Sequence, residues 1–334
     1  MNLHNVATLN DPIEYPSMDK SSRIYVAGHT GLAGSAIYRK LIADGFANVF
    51  GRTHKELDLT HRDAVNDFFA AERPDFVFMA AARVGGIVAN DTYPGDFIRE
   101  NLLLQTHVID AAYRNGVKKL LFLGSNCIYP KECPQPIKEE YLMTGHLEGT
   151  NSAYAVAKIA GIEMCCAYRR QFGFNAISLM PCNLYGQHDN FNLMTSHVMP
   201  GLIRKFHDAK VSGARRLTLW GTGTPRREFL FADDLADAAL VLMRHYNDCP
   251  VINAGAGIDY PICEVAKIVS DVVGFAGDIL FDSTKPDGTS KKLLDVTKLF
   301  SIGWRPSVEL KDGIKKTYEW FLERLKSGHQ EVRL

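Results

Sequence analysis

The sequence predicts a doubly wound α/β fold, in which a parallel sheet is followed by a smaller C-terminal α/β domain. From Arg23 onward, short apolar runs alternate with helical patterns, which is typical of parallel strands joined by crossover helices. A glycine-rich segment follows the first of these runs. The chain has 334 residues, of which 46% are hydrophobic and 23% charged, a globular composition that corresponds to about two domains.

Strands are predicted where runs of β-branched, aromatic and aliphatic residues are short, and helices where apolar residues recur every three or four positions. In the first domain the predicted strands are RIYVA (23–27), NVFGR (48–52), DFVFMAA (75–81), KKLLFLG (118–124) and FNAISLMP (174–181). The predicted helices cover about 32–44, 61–72, 95–115 and 153–172.

Beyond Asn183 the loops become longer and richer in glycine and proline, which indicates a second domain. We predict a mobile leader of residues 1–22, a dinucleotide-binding domain of 23–183 and a mainly substrate-binding domain of 184–334. Segments near 233–256 are expected to return to the first domain, with VINAG as a further strand of its sheet. The other predicted elements are helices near 196–210, 260–273 and 310–327 and strands near 216–220 and 227–231.

Charge and cysteine content exclude several classes of function. Lys plus Arg and Asp plus Glu both number 38, so no net field attracts nucleic acid or an anionic membrane. No run approaches the roughly 20 apolar residues of a membrane span, and the start of the chain has no secretory pattern. The seven cysteines show neither a disulfide framework nor zinc spacing, so we expect a cytoplasmic protein without a metal site.

The glycine-rich segment joins the first predicted strand to the first predicted helix. Such glycines permit a tight turn, a close approach of the backbone to a diphosphate and close packing of helix on strand. In this context they predict a Rossmann-type dinucleotide site, although an ordinary glycine-rich turn is the alternative. The residues of the segment are Gly28, His29, Thr30, Gly31, Leu32, Ala33 and Gly34.

The end of the second predicted strand bears on the choice between NAD and NADP. An NAD site would place an acidic residue there, whereas this chain has the basic residues Arg52, His54 and Lys55. We therefore predict NADP(H) as the cofactor, with a solvated basic turn as the alternative. The pair Asp58 and Leu59 is expected either to contact the adenine or to cap the next helix.

A tyrosine and a lysine share one face of a predicted helix. Tyr154 and Lys158 are four residues apart, and Ser125 follows the strand 118–124. A phenol made more acidic by a neighbouring ammonium can exchange a proton with a carbonyl or alcohol, while a serine hydroxyl holds the same oxygen. Such chemistry is predicted here, and an exposed helix pair beside a strand-end serine is the alternative.

These motifs resemble the extended short-chain dehydrogenase/reductase family over nearly the whole chain after Arg23. Further matching segments are AARVGGIVAN (81–90), FLGSNCIYP (122–130), MPCNLYGQHDNF (180–191) and WGTGTPRREF (220–229). The resemblance extends to members that act on GDP-sugars. It implies a homodimer that epimerises C3 and C5 of GDP-4-keto-6-deoxy-D-mannose and reduces C4 with NADPH.

The resemblance also implies individual roles. Ser125, Tyr154 and Lys158 would form a reductive triad, and Cys127 and His197 the acid/base pair of epimerisation. Beyond the glycine-rich segment and Arg52, His54, Asp58 and Leu59, the cofactor would contact Ala81, Leu123, Gly124, Lys158, Pro181, Cys182, Asn183, Leu184 and His197. The GDP-sugar would contact Ser125, Asn183, Lys205, Trp220, Arg227 and Asp287. Lys205 stands where some members have arginine, as do Thr30 and His54.

Ordinary structural roles remain open for several of these residues. Free cysteine is most often a small buried hydrophobe, and a lone histidine such as His197 is more often structural. The hydroxyls of Thr195 and Ser196 can cap the helix near 196–210. The pair Arg226-Arg227 either binds a diphosphate or is a solvated pair on an edge strand.

Other functions on the same fold are a nucleotide-sugar 4-epimerase, a 4,6-dehydratase and a non-catalytic NADP sensor. A dehydratase would be expected to have an Asp-Glu pair after the strand-end hydroxyl, whereas Ser125 is followed by Asn126 and Cys127. In a simple 4-epimerase Cys127 would have no role. A homodimer through the helices near 95–115 and 153–172, packed as a four-helix bundle, is expected under every one of these hypotheses.

Overall fold

The computed structural model describes residues 17–285 and 287–327. Its strands, in chain order, are β1 (Arg23–Ala27), β2 (Asn48–Phe50), β3 (Phe76–Met79), β4 (Lys119–Leu123), β5 (Ala176–Pro181), β6 (Asn183–Tyr185), β7 (Arg216–Trp220), β8 (Arg226–Phe231), β9 (Ile252–Ala254), β10 (Asp259–Pro261), β11 (Asp278–Asp282) and β12 (Lys291–Lys292). Its helices are α1 (Leu32–Ala43), α2 (Arg62–Glu72), α3 (Ile87–Thr92), α4 (Pro94–Arg114), α5 (Ser152–Phe172), α6 (Val198–Val211), α7 (Ala232–His245), α8 (Ile262–Val273), α9 (Thr297–Ser301) and α10 (Leu310–Ser327).

Six of these strands form one parallel sheet in the order β2-β1-β3-β4-β5-β9. Strands β3, β4 and β5 are buried along their whole length, as expected for apolar runs in a sheet covered on both faces. Helix α1 packs against α7, and α4 packs against both α2 and α5. The predicted doubly wound α/β fold is confirmed.

The chain leaves the main sheet directly after β5 and later returns to it. Strand β6 pairs with β8 in a second sheet, which also contains β10 and β12. Strand β9 pairs with β5, so VINAG belongs to the main sheet, as predicted. The predicted domain boundary after residue 183 therefore falls inside β6, just after the chain passes from the main sheet to the second sheet.

The second unit has its own apolar core. Helices α6, α8 and α10 pack together with the second sheet and with the ribbon of β7 and β11. Aromatic and aliphatic side chains fill the space between these elements, among them Phe191, Phe206, Phe229, Val269 and Phe321. This rigid packing fixes the loops that face the end of the main sheet.

Six short elements in the described part of the chain were not predicted: α3, α9, β6, β10, β11 and β12. Helix α3 has six residues, too few to show a helical period, and it follows two glycines. Strand β11 has an alternating but weakly apolar sequence, and it pairs with β7 alone. Both elements depend on tertiary contacts rather than on a local pattern.

The prediction of a mobile leader over residues 1–22 was wrong for its described part, 17–22. Met18 is 8% exposed and packs in the main apolar core. The Lys20 carbonyl accepts a hydrogen bond from the Ala47 amide at 2.9 Å. Residues 1–16 lie outside the described residues.

The structure pairs Cys166 of α5 with Cys249, and the expectation that no cysteines pair was wrong. Their Cα atoms are 5.5 Å apart although 83 positions separate them in sequence. Spacing along the chain could not reveal this pair, because packing of α5 beside the segment after α7 creates it. As for membranes, none of the helices in the described ranges is both long and apolar enough to span one.

Candidate active site

The candidate active site lies at the C-terminal ends of the parallel strands of the main sheet. The glycine-rich segment follows β1, a short turn at Asn126–Ile128 follows β4, and Cys182 follows β5. Helix α5 brings Tyr154 and Lys158 to the same edge, because the Lys158 ammonium donates to the Leu123 carbonyl at 2.9 Å. Because parallel strands all end on the same side of the sheet, segments that are distant in sequence come together there.

The turn between β1 and α1 has the shape of a diphosphate cradle. Gly28 adopts a φ of +80°, and the Gly31 amide donates to the Gly28 carbonyl at 3.0 Å. A Cβ on Gly34 would lie 2.1 Å from that carbonyl oxygen, and a Cβ on Gly28 would lie 2.8 Å from the Ala81 backbone. The first turn of α1, which is fully described, carries no acidic side chain. Its free amides therefore suit the phosphates of a dinucleotide.

The basic residues after β2 are partly engaged by neighbours. The Arg52 guanidinium contacts the Glu72 carboxylate at 2.5 Å, so its charge is shared with an acid. The His29 ring packs against Gly51, where a Cβ would come within 2.2 Å of the ring. Burial lowers the pKa of His29, opposed in part by a nearby carboxylate. His54 is at the surface, with 79% of its side chain exposed.

Asp58 does not cap α2. Its carboxylate accepts hydrogen bonds from the Thr60 amide at 2.9 Å and the Thr60 hydroxyl at 2.8 Å, while His61 occupies the N-cap position. Of the two roles that the sequence left open for Asp58 and Leu59, the helix-capping role was wrong. Contact with an adenine remains a prediction.

The structure brings Ser125, Tyr154 and Lys158 together. The Ser125 hydroxyl lies close enough to Tyr154 to affect its pKa, and the Lys158 ammonium lies 6.0 Å from the Tyr154 ring. Lys158 is only 2% exposed and also lies 4.7 Å from the Phe122 ring. The three side chains thus surround one end of the cleft.

The protonation of this group differs from the sequence-based expectation. Burial lowers the pKa of Lys158 to about 7. Burial also raises the pKa of Tyr154, and the nearby Ser125 hydroxyl opposes this only in part. Burial, rather than the charge of Lys158, thus dominates the pKa of this phenol in the structure. A phenol held in its protonated form is suited to donate a proton.

Cys127 lies beside the same group. Its backbone amide donates to the Ser125 hydroxyl at 3.3 Å, and its sulfur accepts from the Asn151 side-chain amide at 3.5 Å. The half-buried thiol packs against an apolar cluster that contains Phe97 and Tyr154. The structure thus places a thiol and a phenol together at the end of β4.

His197 occupies the N-cap position of α6, with an extended backbone. Neither Ser196 nor Thr195 caps this helix among the described contacts, so the capping role predicted for their hydroxyls was wrong. The Gly86 amide donates to the Thr195 carbonyl at 2.9 Å, which joins this segment to the loop before α3. His197 is exposed to solvent in the cleft, and the protein atoms around it lower its pKa by desolvation. The imidazole is therefore neutral near neutral pH.

The second unit presents an exposed indole between cations. Trp220 is 68% exposed, and the ammonium groups of Lys205 and Lys285 each lie 5.8 Å from its ring. Burial lowers the pKa of Lys205. The Asp287 carboxylate accepts from the Thr222 amide at 2.9 Å, which fixes the neighbouring loop. An open aromatic face beside ammonium groups suits a planar base next to an anion.

Arg226 and Arg227 have different surroundings. Arg226 forms an ion pair with Asp259 at 2.9 Å. Arg227 is half-buried, and its guanidinium lies against the loop of Asp287 and Gly288, where a Cβ would come within 3.0 Å of Nη2. Burial lowers the pKa of Arg227, while the charge of Asp287 raises it. Arg227 thus faces the same side as Trp220 and Asp287.

Sequence reasoning missed three residues of the site: Asn151, Phe97 and Glu228. Phe97 packs edge-on against Tyr154, with ring centroids 6.4 Å apart. Glu228 is fully buried, and it accepts hydrogen bonds from the Gly257 amide at 2.7 Å and the Leu294 amide at 2.9 Å. Burial raises the pKa of this carboxyl group to about 7. No spacing or periodicity in the sequence marks any of the three.

Known proteins are similar to this chain over most of its length. A sequence model described as the NAD dependent epimerase/dehydratase family matches residues 24–255. GDP-L-fucose synthase 1 of Arabidopsis thaliana is 57% identical over 92% of this chain and 95% of its own length. GDP-L-fucose synthase of Escherichia coli K12 is 50% identical over 90% of this chain and 97% of its own.

A solved structure is also similar over nearly its whole length. It is that of a GDP-L-fucose synthetase from Naegleria fowleri bound to NADP, with a TM-score of 0.87 and 29% identity. The match covers 96% of this chain and 98% of that one. The relatives found by sequence and the relative found by structure are therefore enzymes of the same kind.

Proposed function

The chain belongs to the NAD dependent epimerase/dehydratase family, and we infer that it epimerises C3 and C5 of GDP-4-keto-6-deoxy-D-mannose and reduces C4 with NADPH, forming GDP-L-fucose. This inference rests mainly on one observation. After β4, Cys127 contacts both Ser125 and Tyr154. A reductase of this family needs the hydroxyls, whereas a thiol beside them adds a group for proton transfer.

NADP(H) fits the first unit. The cradle between Gly28 and Gly34, where a Cβ on either of these two glycines would collide with backbone, leaves space for a diphosphate against the first amides of α1. Arg52 and His54 would lie near the 2′-phosphate, and residues 181–184 near the nicotinamide. The relative from Naegleria fowleri has NADP bound. When bound, the reduced nicotinamide supplies the hydride for C4.

Epimerisation relies on the acidity of protons next to the C4 ketone. Removing such a proton moves the bonding electron pair onto the C4 oxygen, where Ser125 and Tyr154 donate hydrogen bonds. Inversion requires a proton to leave one face and another to arrive on the opposite face. Cys127 and His197 serve as this acid/base pair, since Cys127 has a free thiol and desolvation lowers the pKa of His197.

Reduction uses the same oxygen. Tyr154 keeps its proton because of burial, and it donates that proton to the C4 oxygen as the alcohol forms. Lys158 positions the end of β4 through its hydrogen bond to Leu123 and lies next to Tyr154. One set of hydroxyls therefore serves both half-reactions.

The second unit holds the GDP moiety of the substrate. Trp220 offers a stacking face for guanine, and Lys205 and Arg227 offer charge for the diphosphate. Asp287 accepts hydrogen bonds at the same loop, and Asn183 reaches β8 by donating to the Glu228 carbonyl at 2.8 Å. We assign residues 23–183 to the cofactor and 184–334 mainly to the substrate.

We also propose a homodimer through a bundle of α4 and α5 from each subunit. Outside the main apolar core, these helices leave Leu102 and Leu103 half-buried, and Val156 is 44% exposed. Light scattering should give twice the chain mass of 37.2 kDa, and Val156→Glu should give the monomer. A wild-type monomer would refute this interface.

We propose a cytoplasmic location, since five of the cysteines are free. In that compartment the Cys166–Cys249 disulfide of this structure would be reduced to two thiols. Alkylation of thiols in freshly lysed cells, followed by mass spectrometry, should label both residues. A disulfide that persists under those conditions would contradict the location.

The function is tested by the loss of NADPH absorbance with GDP-4-keto-6-deoxy-D-mannose, with NADH in parallel and the product identified. Rapid oxidation of NADPH and formation of GDP-L-fucose are expected. An unepimerised 6-deoxy product would remove Cys127 and His197 from their roles. Tight NADPH binding without oxidation would instead indicate another nucleotide sugar or a sensor.

A further inference from the structure

Asn151 lies directly before α5, the helix that contains Tyr154, and its side chain does not cap that helix. It ends the short turn Gly149–Asn151 and occupies the N-cap position of α5. Asparagine at an N-cap usually accepts a hydrogen bond from an amide of the first turn. Here its side chain makes no such bond within the described structure. The cap position therefore does not account for how this side chain is used.

The Asn151 side chain is directed at Cys127 instead. Its Nδ2 donates to the Cys127 sulfur at 3.5 Å. Its Oδ1 is buried and has no hydrogen-bond partner among the described residues. A buried amide oxygen without a partner is costly, so a site that keeps one there is a candidate for a functional role.

The bond from Asn151 is the side-chain N–H contact to this sulfur among the described residues. The Asn126 side-chain oxygen, Oδ1, lies 4.0 Å away and accepts from the thiol. Ala89 and Phe97 contribute apolar surface, and Tyr154 is the titratable group facing the sulfur. The Glu148 carboxylate is bound by the Thr150 hydroxyl and the Asn151 backbone amide. Among these neighbours, the Asn151 amide is the N–H group that donates to the sulfur in this structure, and it can stabilise a thiolate there.

We propose that Asn151 is a positioning residue for epimerisation, which holds the Cys127 sulfur and stabilises it in both protonation states. The proposal rests on the proton-transfer role of Cys127 under the proposed function. When Cys127 takes a proton, the sugar C–H bond breaks, its electron pair moves to the C4 oxygen, and an S–H bond forms. The amide N–H donates to the thiolate before this step, and the unpartnered Oδ1 can accept from the thiol after it.

The first test measures the thiolate directly, without substrate. Iodoacetamide alkylates the thiolate, and mass spectrometry of the peptide that contains Cys127 reports its rate at neutral pH. Asn151→Ala should slow alkylation about tenfold, since hydrogen bonds to charged groups are the strong ones. Asn151→Asp, which places an acceptor and a negative charge there, should slow it further. Steric opening of the site would act in the opposite direction and accelerate the reaction.

The matched control is Ser152→Ala. Ser152 begins the same helix, and its hydroxyl donates to the Gly149 carbonyl at 3.1 Å rather than to the sulfur. This variant should alkylate at the wild-type rate. NADPH binding shows that each variant is folded. Alkylation of Asn151→Ala at or above the wild-type rate would overturn the proposal.

The second test separates the two half-reactions. Exchange of the C3 and C5 protons in D₂O should fall about tenfold in Asn151→Ala. Oxidation of GDP-L-fucose by NADP⁺ in a single turnover uses Ser125, Tyr154 and Lys158, and it should not change. An equal loss in both reactions would show a merely structural role and overturn the proposal. Failure of the proposed function is recognised separately, because the wild-type protein would then show no exchange at C3 and C5.

Discussion

Replacing Gly34 by alanine tests the diphosphate cradle, because two effects of opposite sign compete there. Alanine is the better helix former by about 1 kcal/mol, which favours the variant. However, the new Cβ would lie 2.1 Å from the Gly28 carbonyl oxygen, far inside the 3.0 Å below which Cβ contacts are essentially not found. The partner atom belongs to the backbone of a tight turn, so it cannot rotate away as a side chain would.

The turn and the start of α1 must therefore separate by roughly 1 Å, and overpacking of this kind costs about 1–3 kcal/mol. The same shift moves the amides that receive the phosphates. Each charge-assisted hydrogen bond is worth about 1.5–3 kcal/mol, so we expect NADPH to bind about 10- to 100-fold more weakly.

Fluorescence titration with NADPH measures this loss, and thermal unfolding measures the strain. Gly95→Ala is the matched control, because Gly95 lies in the first turn of α4 and a Cβ there meets no atom within 4 Å. The control should bind NADPH normally and unfold at the same or a higher temperature. Wild-type affinity in Gly34→Ala would refute the assignment of this turn to the cofactor.

Three further predictions concern proton transfer, substrate binding and pH. Cys127→Ala should lower the exchange of the C3 and C5 protons about 100-fold or more, while NADPH binds normally. The control Cys263→Ala, at an exposed free cysteine, should change neither exchange nor NADPH binding. Full exchange in Cys127→Ala would remove the thiol from the mechanism. Arg227→Lys should raise KM for the GDP-sugar about tenfold with little change in kcat, since an ammonium cannot make the paired bonds of a guanidinium; an unchanged KM would place the diphosphate elsewhere. The pKa of Glu228 is raised to about 7, so its contribution to stability is complete below about pH 4.5 and is lost as the pH rises through 7. Glu228→Gln should flatten this dependence, which is worth about 3 kcal/mol in chemical unfolding between those limits; an identical slope in both proteins would contradict the assignment.

The parts of the fold that were predicted are those with long local patterns. Strands β1, β3, β4 and β5 are continuous apolar runs, and α4 and α5 are long enough to show a helical period. Helix α3 is too short for any period, and β12 has only two residues. Such elements exist because neighbours hold them in place.

The site divides in the same way. The sequence predicted that Ser125, Tyr154 and Lys158 form one group. This was possible because a strand end and one face of a helix come together at the C-terminal end of a parallel sheet. Their protonation could not, since the pKa of Tyr154 depends on burial that no motif encodes. The contact from Asn151 to Cys127 also depends on three-dimensional packing, because 24 positions separate the two residues.

The central claim is that one site performs both epimerisation and reduction. The most direct measurement is to run the reaction with NADPH in D₂O and locate deuterium in the product by NMR. The account predicts GDP-L-fucose that carries deuterium at C3 and C5 and protium from NADPH at C4. A reduced 6-deoxy sugar with the original configuration and no deuterium at C3 and C5 would contradict it.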